Sequence, residues 1–91
     1  MDKVEAYNII QEELEKYQKH GYEKLKQLIN KPKTYEVHGK TKTYQIEIQV
    51  IWDDKTKNTL RVIGAIDDMN WYAFAPISES LLIGPEDSNG G

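Results

Sequence analysis

The chain contains no cysteine. That excludes disulfides, thiolate nucleophiles and cysteine-ligated zinc, and it fits a reducing compartment. Arginine occurs once, at Arg61. Arginine is the usual reader of bases and phosphates, so nucleic acid is not expected as a partner. No apolar run approaches the roughly 20 residues that span a bilayer. The opening "MDKVEAYNII" lacks a signal-peptide core, and the expectation is a soluble cytoplasmic protein with no membrane partner. GxSxG, HExxH, P-loop and GxGxxG motifs are all missing. No catalytic residue, metal ligand or cofactor is therefore assigned, and the chain reads more as a binding protein than as an enzyme.

What remains is 91 residues, 38% of them hydrophobic, with a formal charge of −3. This suffices for one modest core. Charge is unevenly spread. Residues 1 to 15 carry five acids and one base, whereas residues 16 to 42 carry eight lysines and two acids. Acids early and lysines late suit the dipole of a leading helix.

Residues 2 to 20 have helical periodicity, with Val4, Tyr7, Ile10, Leu14 and Tyr17 as the expected apolar stripe. Asp2 is placed to cap the start, and Glu5 three residues on to complete a capping box. Lys19, His20 and Gly21 form a stop signal, with His20 as a cation at the helix end. A second short helix is expected over 22 to 30, or else one helix bent at Gly21. Pro32 closes that segment.

From Thr34 the period changes to 2. "TYEV" is a short strand, and "HGKTK" is a turn in which Gly39 is expected to supply positive φ. "TYQIEIQVIW" alternates cleanly, "DDKTKN" is a loop and "TLRVIGAI" is the next strand. "DDMN" turns the chain into a fourth strand, "WYAFA". "ISESLLI" fits a short helix or an edge strand equally well. The expected fold is α+β: an N-terminal helix, bent or broken near Gly21, on an antiparallel meander of about four strands, in two layers. Residues 1 to 85 form the single domain, and 86 to 91 a flexible tail.

Pairing Trp52 with Leu60 sets Val50 opposite Val62, Ile48 opposite Gly64, Ile46 opposite Ile66 and Tyr44 opposite Asp68. All but the last are apolar, and a slip by one residue would destroy the match. The acid pairs Asp53/Asp54 and Asp67/Asp68 then lie at opposite hairpin ends, about 20 Å apart. Catalytic carboxylate pairs lie within about 10 Å. The four acids are therefore expected to serve as turns. A weak polar cluster of His38, Asp67 and Asp68, with Lys42 near Asp68, is the one place a metal or proton-transfer site is conceivable.

In this register Phe74 is expected to fill the space above Gly64, and Tyr72 to meet Ile66. The opposite face carries Ile51, Ile63, Ala65, Trp71, Ala73 and Ala75 among its polar residues. That is too apolar for an idle solvent face, unless the second helix or the C-terminal segment folds over it. Ile51, Ile63 and Trp71 are the candidate contact residues for another protein or a second copy of the chain.

"RVIGAIDD", "AFAPISES" and "GPEDS" resemble a small bacterial family of unknown function. The likeness covers roughly residues 44 to 88, with Glu86 and Asp87 standing where the family pattern has Asp and Gly. It implies a sheet design and no known activity. Cystatin-like domains offer an analogy of architecture alone. The terminal Gly90 and Gly91 look like a ubiquitin-type ending, but the helix-first order departs from that fold. The functional expectation is a non-catalytic protein-interaction module, of which an antitoxin or immunity-type protein is a concrete form. The alternative is a small-ligand-binding or enzymatic domain with a pocket between helix and sheet, as in cystatin-like or NTF2-like folds, where Tyr7, Tyr17, Tyr22 and Tyr44 would supply hydroxyls.

Overall fold

A computed structural model describes residues 2–68 and 76–86. The elements run α1 (Lys3–Gln18), α2 (Tyr22–Lys26), β1 (Lys33–His38), β2 (Thr43–Asp54), β3 (Thr59–Asp67) and β4 (Ile77–Ile83). The four strands form one antiparallel meander in the order β1-β2-β3-β4, with the helices packed on one face. The α+β two-layer expectation is met.

Asp2 caps α1: the Glu5 backbone N–H donates to Asp2 Oδ1 at 3.0 Å. The Glu5 carboxylate is engaged on the sheet side, by the Tyr44 hydroxyl and the Lys40 backbone N–H. The chain breaks after α1 rather than bending. Gly21 adopts φ 87 and starts α2, a conformation side chains resist. The second helix is shorter than expected. After Lys26 the chain turns, Asn30 enters the left-handed region at φ 66, and Ile29 makes a single parallel bridge to Val50.

The buried face of α1 is Ala6, Ile10, Glu13 and Leu14. Val4 and Tyr7 lie outside it, 72% and 45% exposed. Two successive steps of three residues, at 3.6 per turn, leave Val4 about 120° around the helix from Ile10. The true stripe continues from Ile10 back to Ala6, a step of four.

The expected β2–β3 register is found for Trp52↔Leu60, Val50↔Val62, Ile48↔Gly64 and Ile46↔Ile66. These positions, with Tyr44, Tyr22, Leu25 and Ile83, form the core, and Trp52 packs half-buried at its edge. Each fully buried aliphatic side chain contributes about 1.5–3 kcal/mol.

Two glycines act differently from expectation. Only Gly21 among the described glycines has positive φ, so Gly39 does not turn the chain that way. A Cβ there would come within 2.6 Å of Glu5 Oε1 and 2.8 Å of Tyr44 Cε2, so close approach demands the glycine. Above Gly64, a Cβ would meet Ile10 Cδ1 at 2.8 Å and Leu14 Cδ2 at 3.2 Å. The gap in the sheet is filled by α1.

"ISESLLI" resolves as a strand. β4 pairs with β3 along Ile66↔Ile77, Gly64↔Glu79, Val62↔Leu81 and Leu60↔Ile83. The β3 partners expected to be Tyr72 and Phe74 are thus Ile77 and Glu79. The "WYAFA" segment, with Trp71, Tyr72, Ala73, Phe74 and Ala75, lies outside the described residues, as do Gly90 and Gly91.

Candidate functional site

Antiparallel pairing sorts the outer face of the sheet into rows. Ile51, Arg61 and Leu82 form one row across β2, β3 and β4. Gln49, Ile63 and Ser80 form the next, and Glu47, Ala65 and Ser78 the one after. Leu82 is 53% exposed, Ile51 41%, and Ile63 is half-buried. Arg61 stands among these three apolar residues. Its Nε donates to Asp53 Oδ1 at 2.9 Å and its Nη1 to Ser80 Oγ at 2.8 Å. The guanidinium thereby links β2, β3 and β4, with Ile51, Ile63 and Leu82 at neighbouring register positions.

The second helix does not cover this face. Tyr22 and Leu25 of α2 belong to the core on the other side, and β4 extends the sheet in its own plane. Leu82 escapes the sequence-based list of contact residues because "ISESLLI" fits two structures. Read with period 2, it places Ser78, Ser80 and Leu82 together on the outer face.

The acid pairs sit at opposite ends of the β2–β3 hairpin. Asp54 Oδ1 accepts from the Thr56 hydroxyl at 2.6 Å and the Thr56 backbone N–H at 2.9 Å. These bonds, the hydroxyl foremost, lower the Asp54 pKa. It is a turn-forming aspartate. Asp53 lies in an irregularity of the ladder between Trp52 and Asp54 and pairs with Arg61.

At the other end, Lys42 Nζ lies 3.5 Å from Asp68 Oδ2, and the Asp68 side chain is only 5% exposed. Asp67 pairs with Gln45 in the ladder. His38 closes β1 opposite Thr43 and shares a 3.0 Å hydrogen bond between Nδ1 and Thr43 Oγ1. Among the described residues no three histidine, cysteine or acidic side chains are grouped to hold a metal ion, so His38, Asp67 and Asp68 are not assembled as one. His20 packs edge-on against Tyr17, with ring centroids 5.3 Å apart.

Sequence reasoning missed the polar groups between helix and sheet. Glu13, 6% exposed, accepts from the Tyr35 hydroxyl at 2.7 Å and from Lys16 Nζ at 2.8 Å. Glu5 accepts from the Tyr44 hydroxyl at 2.8 Å and the Lys40 backbone N–H at 2.9 Å. Burial first, and then the glutamate bond, raise both tyrosine pKa values above 10.0. The Tyr22 hydroxyl donates to the Asn58 carbonyl at 2.7 Å. Three tyrosine hydroxyls thus end on acceptors of the protein itself.

An open cleft of about 550 Å³ lies between the first turns of α1 and the β1–β2 turn. Asp2, Glu5, Asn8 and Glu12 line one side, and His38, Gly39 and Lys40 the other. No helix among the described residues is long and apolar enough to cross a membrane. No family model matches the chain, and no curated protein or solved structure matches it either.

Proposed function

We propose that this protein is a non-catalytic interaction module that binds another protein through the outer face of its sheet. The observation that carries this reading is the apolar row beside Arg61: Ile51 and Leu82 are large, exposed and adjacent to Ile63. An exposed apolar cluster rimmed by polar residues is typical of contact surfaces. Trp71, the third contact residue expected from the sequence, lies outside the described residues. An immunity or antitoxin-type role, in which the module blocks a partner, is the concrete form of the proposal.

The test is affinity capture with the wild type beside an Ile51→Glu, Ile63→Glu variant whose fold is checked by circular dichroism. A partner held by the wild type and lost by the folded variant supports the reading. Equal retention by both chains removes it.

A small-ligand reading is favoured by one observation, the cleft of about 550 Å³ beside Glu5 and His38. Its volume is that of a ligand pocket, and its lining mixes the acids Asp2, Glu5 and Glu12 with the apolar Val4 and Ile9. Thermal-shift screening against a cationic small-molecule set, with Glu12→Gln as control, tests it. A stabilising hit abolished by that substitution would favour the cleft over the sheet face.

A further inference from the structure

We infer that two copies of this chain associate through the outer edge of β4, with the β4 strands antiparallel about a two-fold axis at Ser80. β4 ends the sheet order, and among the described residues no strand pairs with its other side. An unpaired edge offers a row of backbone donors and acceptors to another strand. The two edges of this sheet are not alike. β1 carries Lys33 and Glu36, charges that discourage pairing. β4 has no proline, no lysine and no break in its seven-residue ladder with β3. Its one charge, Glu79, faces the helix layer and accepts from Gln11 Nε2 at 3.2 Å.

Antiparallel pairing centred on Ser80 is the register that uses all seven residues of "ISESLLI". It sets Ile77 opposite Ile83, Ser78 opposite Leu82 and Glu79 opposite Leu81. The two Glu79 carboxylates fall on a diagonal across the axis, each drawn back by its own Gln11. Among the described residues, two of the four large exposed apolar side chains lie toward this edge, one in each layer. Leu82 is on the outer face. Tyr7 lies one turn before Gln11, on the flank of α1 that reaches β4. A second copy would cover both while extending the sheet to eight strands, an isologous closed interface. Leu82 is shared with the proposed outer-face contact, whereas Ile51 and Ile63 belong to that contact alone.

The absence of cysteine supplies a direct test. Directly opposed antiparallel residues have Cα atoms about 4.5–5.5 Å apart, within disulfide range. Under mild oxidation Ser80→Cys is expected to give a covalent dimer, and Thr56→Cys, in the far turn, is not. Sedimentation of the wild type should show a concentration-dependent species of twice 10.6 kDa. Tyr7→Lys with Leu82→Lys should weaken it about tenfold or more at unchanged circular dichroism. A wild type that stays monomeric at every concentration overturns the inference. So does a dimer that Ser80→Cys fails to cross-link, or one lost in Ile51→Glu, Ile63→Glu but kept in Tyr7→Lys, Leu82→Lys.

Discussion

Tyr35 donates a 2.7 Å hydrogen bond to Glu13 across the helix–sheet interface, joining the edge strand β1 to α1. Glu13 is a charged residue buried among the described residues of the core, and Lys16 binds its other oxygen. Each carboxylate oxygen therefore has a partner, the condition under which a buried charge is tolerated. The arrangement fixes where α1 sits along the sheet, as a purely apolar contact would not.

Removing one partner should expose the cost of leaving the other. Tyr35→Phe is expected to destabilise by about 1–3 kcal/mol, the range for a buried acceptor left unsatisfied. Glu13→Gln, which keeps an acceptor oxygen, should cost less than Glu13→Ala. A double-mutant cycle of Tyr35→Phe with Glu13→Ala, followed by urea unfolding, should give a coupling of at least about 0.5 kcal/mol. Additive losses would mean the bond does not hold the two layers together.

Gly64 should be intolerant of even one added methyl. Its Cβ would press on Ile10 Cδ1 at 2.8 Å, and Leu14 leaves little room beside it. Gly64→Ala is expected to cost about 1–3 kcal/mol by overpacking. Ile10→Val removes the clashing atom. Alone it should cost about 0.5–1.5 kcal/mol, but on the Gly64→Ala background it should cost less or restore stability. Chemical denaturation of the four chains decides this.

The central hairpin was legible because its information is local and redundant. From Tyr44 to Trp52 and from Leu60 to Ile66, every step of two tests the same register, and a slip would set apolar residues in water. "ISESLLI" gave no such check, since two serines and a glutamate satisfy a helix surface as well as an edge strand. The α1 stripe failed at Val4 and Tyr7 because steps of three drift around a helix, and because Ala6 carries little hydrophobic signal although it is buried completely. The partnership of Glu13 with Tyr35 spans 22 residues and depends on tertiary placement, so no spacing rule reveals it. The candidate contact face was half legible: Ile51 and Ile63 followed from parity, whereas Leu82 needed β4.

Acid should test the turn at Asp54. Its folded pKa lies below the ordinary 3.8, mainly through the Thr56 hydroxyl. The stability it contributes is present above the unfolded value and is lost as pH falls through the folded one. Asp54→Asn keeps the accepting oxygen without the titration. Melting temperatures between pH 5 and about pH 2 should therefore fall less steeply for Asp54→Asn than for the wild type. Parallel curves would remove Asp54 from the acid limb.

Alkali should act through Tyr44, with the opposite sign. The phenol is buried in the core and donates to Glu5, so its folded pKa is raised above the ordinary 10.0. Ionisation would place a phenolate in the interior facing the Glu5 carboxylate. The unfolded chain ionises first, and stability that is complete below pH 10.0 is lost as pH rises toward the folded value. Tyr35, raised for the same reasons beside Glu13, adds to the effect. Tyr44→Phe should be less stable than the wild type at neutral pH, because Glu5 loses a donor, yet its melting temperature should decline less between pH 9 and about pH 11. Absorbance titration of tyrosinate provides the second reading: Tyr44→Phe should have one fewer tyrosine that ionises only with unfolding than the wild type. If all six tyrosines of the wild type ionise freely while the chain stays folded, the Tyr44–Glu5 and Tyr35–Glu13 bonds do not protect their phenols.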